Sequence, residues 1–276
     1  MKDCREEWYD KDAKVAVTIV DVTSAAQELA RGHLAGPTAA HYLTEALAAA
    51  ALLGGETSEK DETVILQMKC KGPLGGFNVE CTAEGTLRGY TEKKVLEDFD
   101  GLGRPDDRKA VGESQIQVTR SVPGRILSQG ISTSLDGYLA GSLQRKACIR
   151  TEAAVSDEVE ILVARGLMVE ILPDSRLGSL GSAGSVESEN DPLLTLLDPK
   201  DPVRLSVASR NILKRLGLER AELRRTTPLK FACRCSPDRA LAMLSALSEE
   251  ERKTLPASLD ITCHMCGKTF TIKTKE

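Results

Sequence analysis

Apolar and polar positions fall into blocks of different period along the chain. Lys14 to Val22 (KVAVTIVDV) is β-branched and bounded by charge, which predicts a strand. The next stretch, TSAAQELARGH, predicts a short helix with Thr23 or Ser24 as its cap and Gly32 near its end. In GPTAAHYLTEALAAAALLGG, Pro37 sits in a first turn and Gly54 lies just past the end. Leu43, Ala46, Leu47, Ala50 and Leu53 share one face, so this segment predicts a helix whose alanine surface packs closely on a sheet. From Thr63 the period shortens: TVILQMKC, FNVECTA and TLRGYTE alternate, joined by KGPLGG and EG, and predict a meander of antiparallel strands. Gly72, Gly75 and Gly76 serve turn geometry there. A phosphate loop would need a following Lys-Ser/Thr and a helix, and this loop runs into a strand.

DFDGLGRPDDRKAVG reads as a polar loop, SQIQVTR and GRILSQGI as strands, and Ser134 to Ala147 as a helix. EVEILVARGLMVEILP predicts a last hairpin turning near Arg165-Gly166. After Pro173 the composition breaks: DSRLGSLGSAGSVESENDP is rich in Gly, Ser and acid and marks a flexible linker or boundary. PVRLSVASRNILKRLGLERAELRR then carries Leu205, Ile212, Leu213 and Leu216 at helical spacing, with Lys214, Arg215, Arg224 and Arg225 on other faces, a solvated basic face over a core stripe.

Length and composition narrow the class. A chain of 276 residues with 41% apolar content can bury one large domain with an appendage, although aromatics are only 3% and offer little stacking surface for bases. The net charge of −4 is spread without a long basic run, so nucleic acid is not the expected partner. No stretch approaches the roughly eighteen apolar residues of a membrane span, and the start, MKDCREEWYD, is acidic where a targeting peptide would be basic. A soluble, cytoplasmic protein is expected. In that setting eight cysteines point to metal binding or redox chemistry ahead of a disulfide framework.

The cysteines are unevenly placed. Cys233 and Cys235 stand at C-x-C spacing and Cys263 and Cys266 at C-x-x-C, with residues 236–262 between the pairs. A tetrahedral zinc site asks for four sulfurs at about 2.3 Å from the ion, hence about 3.8 Å from one another. A C-x-x-C turn closed by Gly267 meets that need readily; the C-x-C pair requires the backbone to bend, and Ser236-Pro237 predicts a strand that stops and caps a helix, SPDRALAMLSALS. A second turn, SEEERKTL, and a strand, SLDIT, would return the second pair to the first. A tail of this size folds poorly alone, and metal binding would supply on the order of 10 kcal/mol. Zinc-held thiolates are also the form that oxidants attack, which suits such a site to a reversible switch. His264 lies inside the second pair and is expected to point outward; His33 and His41 read as structural. Cys4, Cys70, Cys81 and Cys148 lie apart and carry no assigned chemistry. No nucleophile elbow, zinc-protease helix or nucleotide loop is present, so an enzyme is not expected.

With these residues in hand, the chain resembles the redox-regulated heat-shock protein 33 family, also called the 33 kDa chaperonin. The resemblance rests on GPTAAHYLTEALAAAALL, LQMKCKGPLGGFNVECTAEGTLRGY, LMVEILP, and a tail of FACRCS with DITCHMCGKTFTI, in that order over nearly the whole chain. It implies an ATP-independent holdase for unfolding client proteins under oxidative stress. It also implies one zinc on Cys233, Cys235, Cys263 and Cys266 in an inactive reduced form. Activation would come by the disulfides Cys233–Cys235 and Cys263–Cys266 with zinc release, and with homodimerisation of the oxidised form. The fold expected is α+β: an N-terminal α/β domain with a largely antiparallel sheet and packed helices over 1–176, a flexible and helical linker over 177–228, and a small zinc-binding redox-switch domain over 229–276.

Two other readings of the tail have distinct signatures. A zinc-ribbon-like nucleic-acid adaptor would use Lys268, Lys273 and Lys275 and bind RNA in a salt-dependent way. A thiol oxidoreductase would need Cys263 exposed and metal-free, away from the other pair.

Overall fold

The computed structural model describes residues 2–56, 59–103, 105–173, 175, 192–198 and 200–274. In chain order the elements are β1 (Cys4–Asp10), β2 (Val15–Asp21), α1 (Thr23–His33), α2 (Pro37–Leu53), β3 (Thr63–Cys70), β4 (Gly76–Thr82) and β5 (Thr86–Thr91). Then come α3 (Asp107–Ala110), β6 (Ser114–Val122), β7 (Arg125–Ser132), α4 (Leu135–Gly141), β8 (Lys146–Val155) and β9 (Ile161–Ile171). The remainder comprises α5 (Pro192–Leu197), α6 (Ser209–Arg215), β10 (Glu222–Pro228), β11 (Lys230–Phe231), α7 (Pro237–Ser245), α8 (Glu249–Thr254), β12 (Ser258–Thr262) and β13 (Thr269–Lys273).

Eleven of these strands form two large sheets around one helix, and β12 and β13 pair as a separate two-stranded sheet. The first has the order β10-β1-β2-β9-β8 and is antiparallel; the second has the order β11-β5-β4-β3-β6-β7, antiparallel except where β11 joins β5 in parallel. Helix α2 runs between them, with every residue but Pro37 and Glu45 buried. Its alanines let both sheets approach, while Leu43, Leu47, Leu52 and Leu53 fill the gaps, each contributing about 1.5–3 kcal/mol by leaving water. The alternation of β2 and β9 divides the core into two layers. Val20, Val22, Ala164 and Met168 face α2, whereas Val15, Val17, Ile19, Leu167, Val169 and Ile171 face the opposite side. There they are covered by Leu196, Leu205, Ile212, Leu213, Leu216 and Leu218.

The α+β class, the meander and α2 follow the sequence reading, while four local expectations are corrected. The helix expected over Ser134 to Ala147 ends at Gly141, and from Lys146 the chain is strand β8, whose pairing with β9 overrides the local helix preference of LQRKA. The hairpin expected at Arg165-Gly166 is one continuous strand. Gly166 is needed for packing, since a Cβ there would lie 2.9 Å from the side chains of both Leu52 and Val20. The helical spacing after Pro202 yields only α6, which stops before Gly217 (φ +70°), and Glu222–Pro228 becomes a strand on the edge of β1. The polar loop after β5 contains the short helix α3, capped by Asp106. Strand β1 escapes a periodicity search because a bulge between Glu7 and Trp8 shifts its phase, so that Arg5 and Trp8 are both buried. Most of the Gly/Ser-rich stretch after Pro173 lies outside the described residues.

Candidate metal centre

The edge of β5 organises the tail. Lys230 and Phe231 pair with Thr86 and Leu87, and the Ala232 N–H donates to the Leu87 carbonyl at 3.1 Å, which delivers Cys233 beside the second sheet. The strand ends there. Cys235 precedes Ser236, whose side chain accepts the Arg239 N–H and caps α7 with Pro237 in its first turn, as the sequence leads one to expect. Helix α8 begins at a complete capping box between Ser248 and Glu251. The β12–β13 hairpin then returns the chain, and its connection is the C-x-x-C turn. Within it the Cys263 N–H donates to Lys268 O and the Gly267 N–H to Cys263 O, both at 2.9 Å, with Gly267 at φ +72°.

This path brings Cys233, Cys235, Cys263 and Cys266 together with all four sulfurs within 4.8 Å of one another. Cys233 Sγ lies 3.8 Å from Cys263 Sγ, and Cys235 Sγ lies 3.5 Å from Cys266 Sγ. The first equals the sulfur spacing of a tetrahedral zinc site, about 3.8 Å, and the second falls slightly short of it. Electrostatics points the same way. Burial pushes the Cys233 thiol up, but the Cys235 N–H, the thiols of Cys235 and Cys266, and the Arg88 guanidinium outweigh it and bring the group down to about 7. Cys235 is raised, by burial and then by its hydrogen bonds with Cys266 and Cys233, and Cys266 is raised by burial. Four packed sulfurs thus share protons when alone, and a divalent cation is what lets all four ionise. The donor set fits zinc, held by two residues from each end of the tail.

The body of the protein grips the C-x-x-C turn at its backbone. Gly89 N–H, on the same β5 edge, donates to Met265 O at 3.1 Å, and Gly89 O receives His33 Nε2–H at 2.8 Å. A Cβ on Gly267 would fall 1.9 Å from Gly32 O, and one on Gly32 would fall 2.6 Å from Cys266 O. His264 does point away from the sulfurs, as expected, and stacks on Tyr90 with centroids 4.5 Å apart and planes within 2°. Arg88 reaches Cys233 Sγ at 4.0 Å while paired with Glu80 at 2.6 Å. His33 is structural as expected: it is buried, and burial lowers its pKa.

None of Gly32, Glu80, Arg88, Gly89 or Tyr90 stands out in the sequence as part of a metal site. The one available signal was Gly89, a glycine inside an otherwise regular strand, which marks close backbone approach. The remaining cysteines are not brought to the cluster. Cys4, Cys70, Cys81 and Cys148 lie on β1, β3, β4 and β8. Among the described residues no helix is long and apolar enough to cross a membrane.

Known proteins are similar to this chain along nearly its whole length. A 33 kDa chaperonin of Thermus thermophilus is 29% identical over 94% of this chain and 81% of its own. One from Bacillus licheniformis is 25% identical over 96% and 93%. The crystal structure of the 33 kDa chaperonin (heat shock protein 33 homolog) of Thermotoga maritima superposes with a TM-score of 0.83 over 99% of this chain and 96% of that one, at 21% identity. The family model described as Hsp33 protein matches residues 7–273, and the chain therefore belongs to the Hsp33 family.

Proposed function

We propose that this protein is a redox-regulated, ATP-independent chaperone that holds unfolding proteins under oxidative stress. The observation that carries the reading is the convergence of four sulfurs on a turn clasped to the β5 edge. Bound zinc supplies a structural cross-link and keeps the sulfurs as thiolates. Oxidation of Cys233 with Cys235 and of Cys263 with Cys266 removes all four ligands and unties the end of β11 from the β12–β13 turn. Four cysteines allow three pairings, and the sulfur contacts at 3.8 and 3.5 Å run between the C-x-C and C-x-x-C pairs. Peptide mapping of the oxidised protein decides among them.

The surface offered to clients is the apolar layer on the outer face of the first sheet. Trp8, Val17, Ile19, Leu167 and Val169 lie there beneath Leu205, Ile212, Leu213 and Leu216. The covering segment is tied down by Arg165, which donates to the carbonyls of Leu205 and Val207, and by Glu152, which accepts the Leu205 N–H. We assign 1–176 to the chaperone domain, 177–228 to the linker that responds to the switch, and 229–276 to the zinc module. The protein works in the cytoplasm, and its oxidised form is a homodimer. Relatives carrying the chaperonin name support a binding protein rather than an enzyme. Light scattering of a chemically unfolded client tests the switch: oxidised protein suppresses aggregation and reduced, zinc-loaded protein does not. Equal suppression by both forms refutes it.

A further inference from the structure

The sulfur cluster is open on one side. A cleft of about 650 Å³ adjoins it, with Cys235 and Cys263 in its wall, whereas Cys266 is buried. Three cationic side chains line this cleft, Arg88 and Lys94 from the body and Arg239 from α7, and no carboxylate does. Arg88 is already neutralised by Glu80. Lys94 and Arg239 have no carboxylate partner among the described residues. In a chain of net charge −4, two cations without a carboxylate partner face one cleft beside two cysteines, where they offset the double negative charge that a divalent ion on four thiolates carries and can pair directly with an incoming carboxylate.

We propose that this cleft receives small anionic disulfides, low-molecular-weight thiol compounds carrying carboxylates, and presents them to Cys235 and Cys263. The volume suits such a molecule, since ligand pockets begin at about 300 Å³. Hydrogen peroxide, small and neutral, needs neither the space nor the charge. Carboxylates of the ligand pair with Lys94 and Arg239, and the exposed Met243 gives its aliphatic part an apolar rest.

The exchange balances without a further oxidant. A cysteine thiolate attacks one sulfur of the small disulfide; the S–S bond breaks, one small thiolate leaves and a mixed disulfide forms. A second cysteine of the cluster displaces the other half, closing a protein disulfide and releasing a second small thiolate. The protein loses two electrons and the small disulfide gains them. This step rests on the redox reading above, so the test must separate the two.

The full zinc-loaded chain is mixed with dithiobis(nitrobenzoate), a dianion, or with dithiodipyridine, which is neutral. Both rates are normalised to those of a cysteine peptide. The anionic probe is expected to gain at low salt, and its advantage over the neutral one to fall about five- to tenfold in Lys94→Gln and again in Arg239→Gln. Salt at about 0.5 M should erase that advantage in the unaltered protein, a readout independent of either variant's folding. An anionic-to-neutral ratio indifferent to both substitutions and to salt overturns the cleft and leaves the redox switch standing. Failure of both probes to react overturns the two together.

Discussion

Alanine at position 32 sets helix propensity against docking of the C-x-x-C turn. Gly32 lies in the last turn of α1, where alanine would ordinarily stabilise the helix by up to about 1 kcal/mol. Here the added Cβ would stand 2.6 Å from Cys266 O, so the turn must withdraw by about 0.8 Å to reach ordinary contact at 3.4 Å. A retreat of that size stretches the 3.1 Å hydrogen bond from Gly89 N–H to Met265 O beyond useful length, at a cost of about 1 kcal/mol. It also slides His264 off Tyr90, worth about 0.5–1.5 kcal/mol. Together these are about 2 kcal/mol, roughly a thirtyfold loss of protection. Amide hydrogen exchange at Gly89 in zinc-loaded Gly32→Ala reads this directly: protection of that amide falls while the amides of α2 keep or gain theirs. Unchanged protection at Gly89 in a uniformly stabilised protein would refute the docking seam.

Further outcomes follow from the same structure. Cys266→Ser removes the buried sulfur of the four-cysteine cluster, and zinc content should drop well below one per chain while residues 236–274 become sensitive to protease; a tail that stays zinc-loaded and resistant would contradict four-sulfur ligation. Burial holds Cys81 at about 11, and burial with the Asp136 carboxylate holds Cys148 at about 12. Their thiolate fractions grow only as pH approaches those values, so at pH 8 iodoacetamide should label the tail cysteines after chelation and spare these two, as mass spectrometry would show. Arg165→Gln releases the segment over Leu205 and Val207 and leaves Asp21 without its 3.3 Å partner, at a cost of about 3–5 kcal/mol. With native circular dichroism retained, the reduced variant should suppress client aggregation in part; complete inactivity would show that this segment is not the mask.

How far the sequence could be read depended on whether the determining contact was local. The four-cysteine cluster was legible because C-x-C and C-x-x-C are local patterns, and α2 because its apolar spacing, Pro37 and Gly54 all agree. Strand β8 was hidden because its stability comes from β9 and its own residues tolerate a helix. Gly166 was misread since a glycine that makes room for Leu52 and Val20 looks, in one dimension, like a turn. The docking seam was the least visible part. Gly32, Gly89 and Gly267 matter through backbone approach between segments remote in the chain, and no spacing rule records that.

The most direct test of the switch follows bound zinc, free thiols and aggregation suppression together in one peroxide titration of the reduced protein. Release of one zinc per chain in step with loss of the Cys233, Cys235, Cys263 and Cys266 thiols, with suppression rising over the same range, is the predicted result. Suppression that rises while zinc stays bound, or thiols that oxidise with no change in suppression, would contradict it.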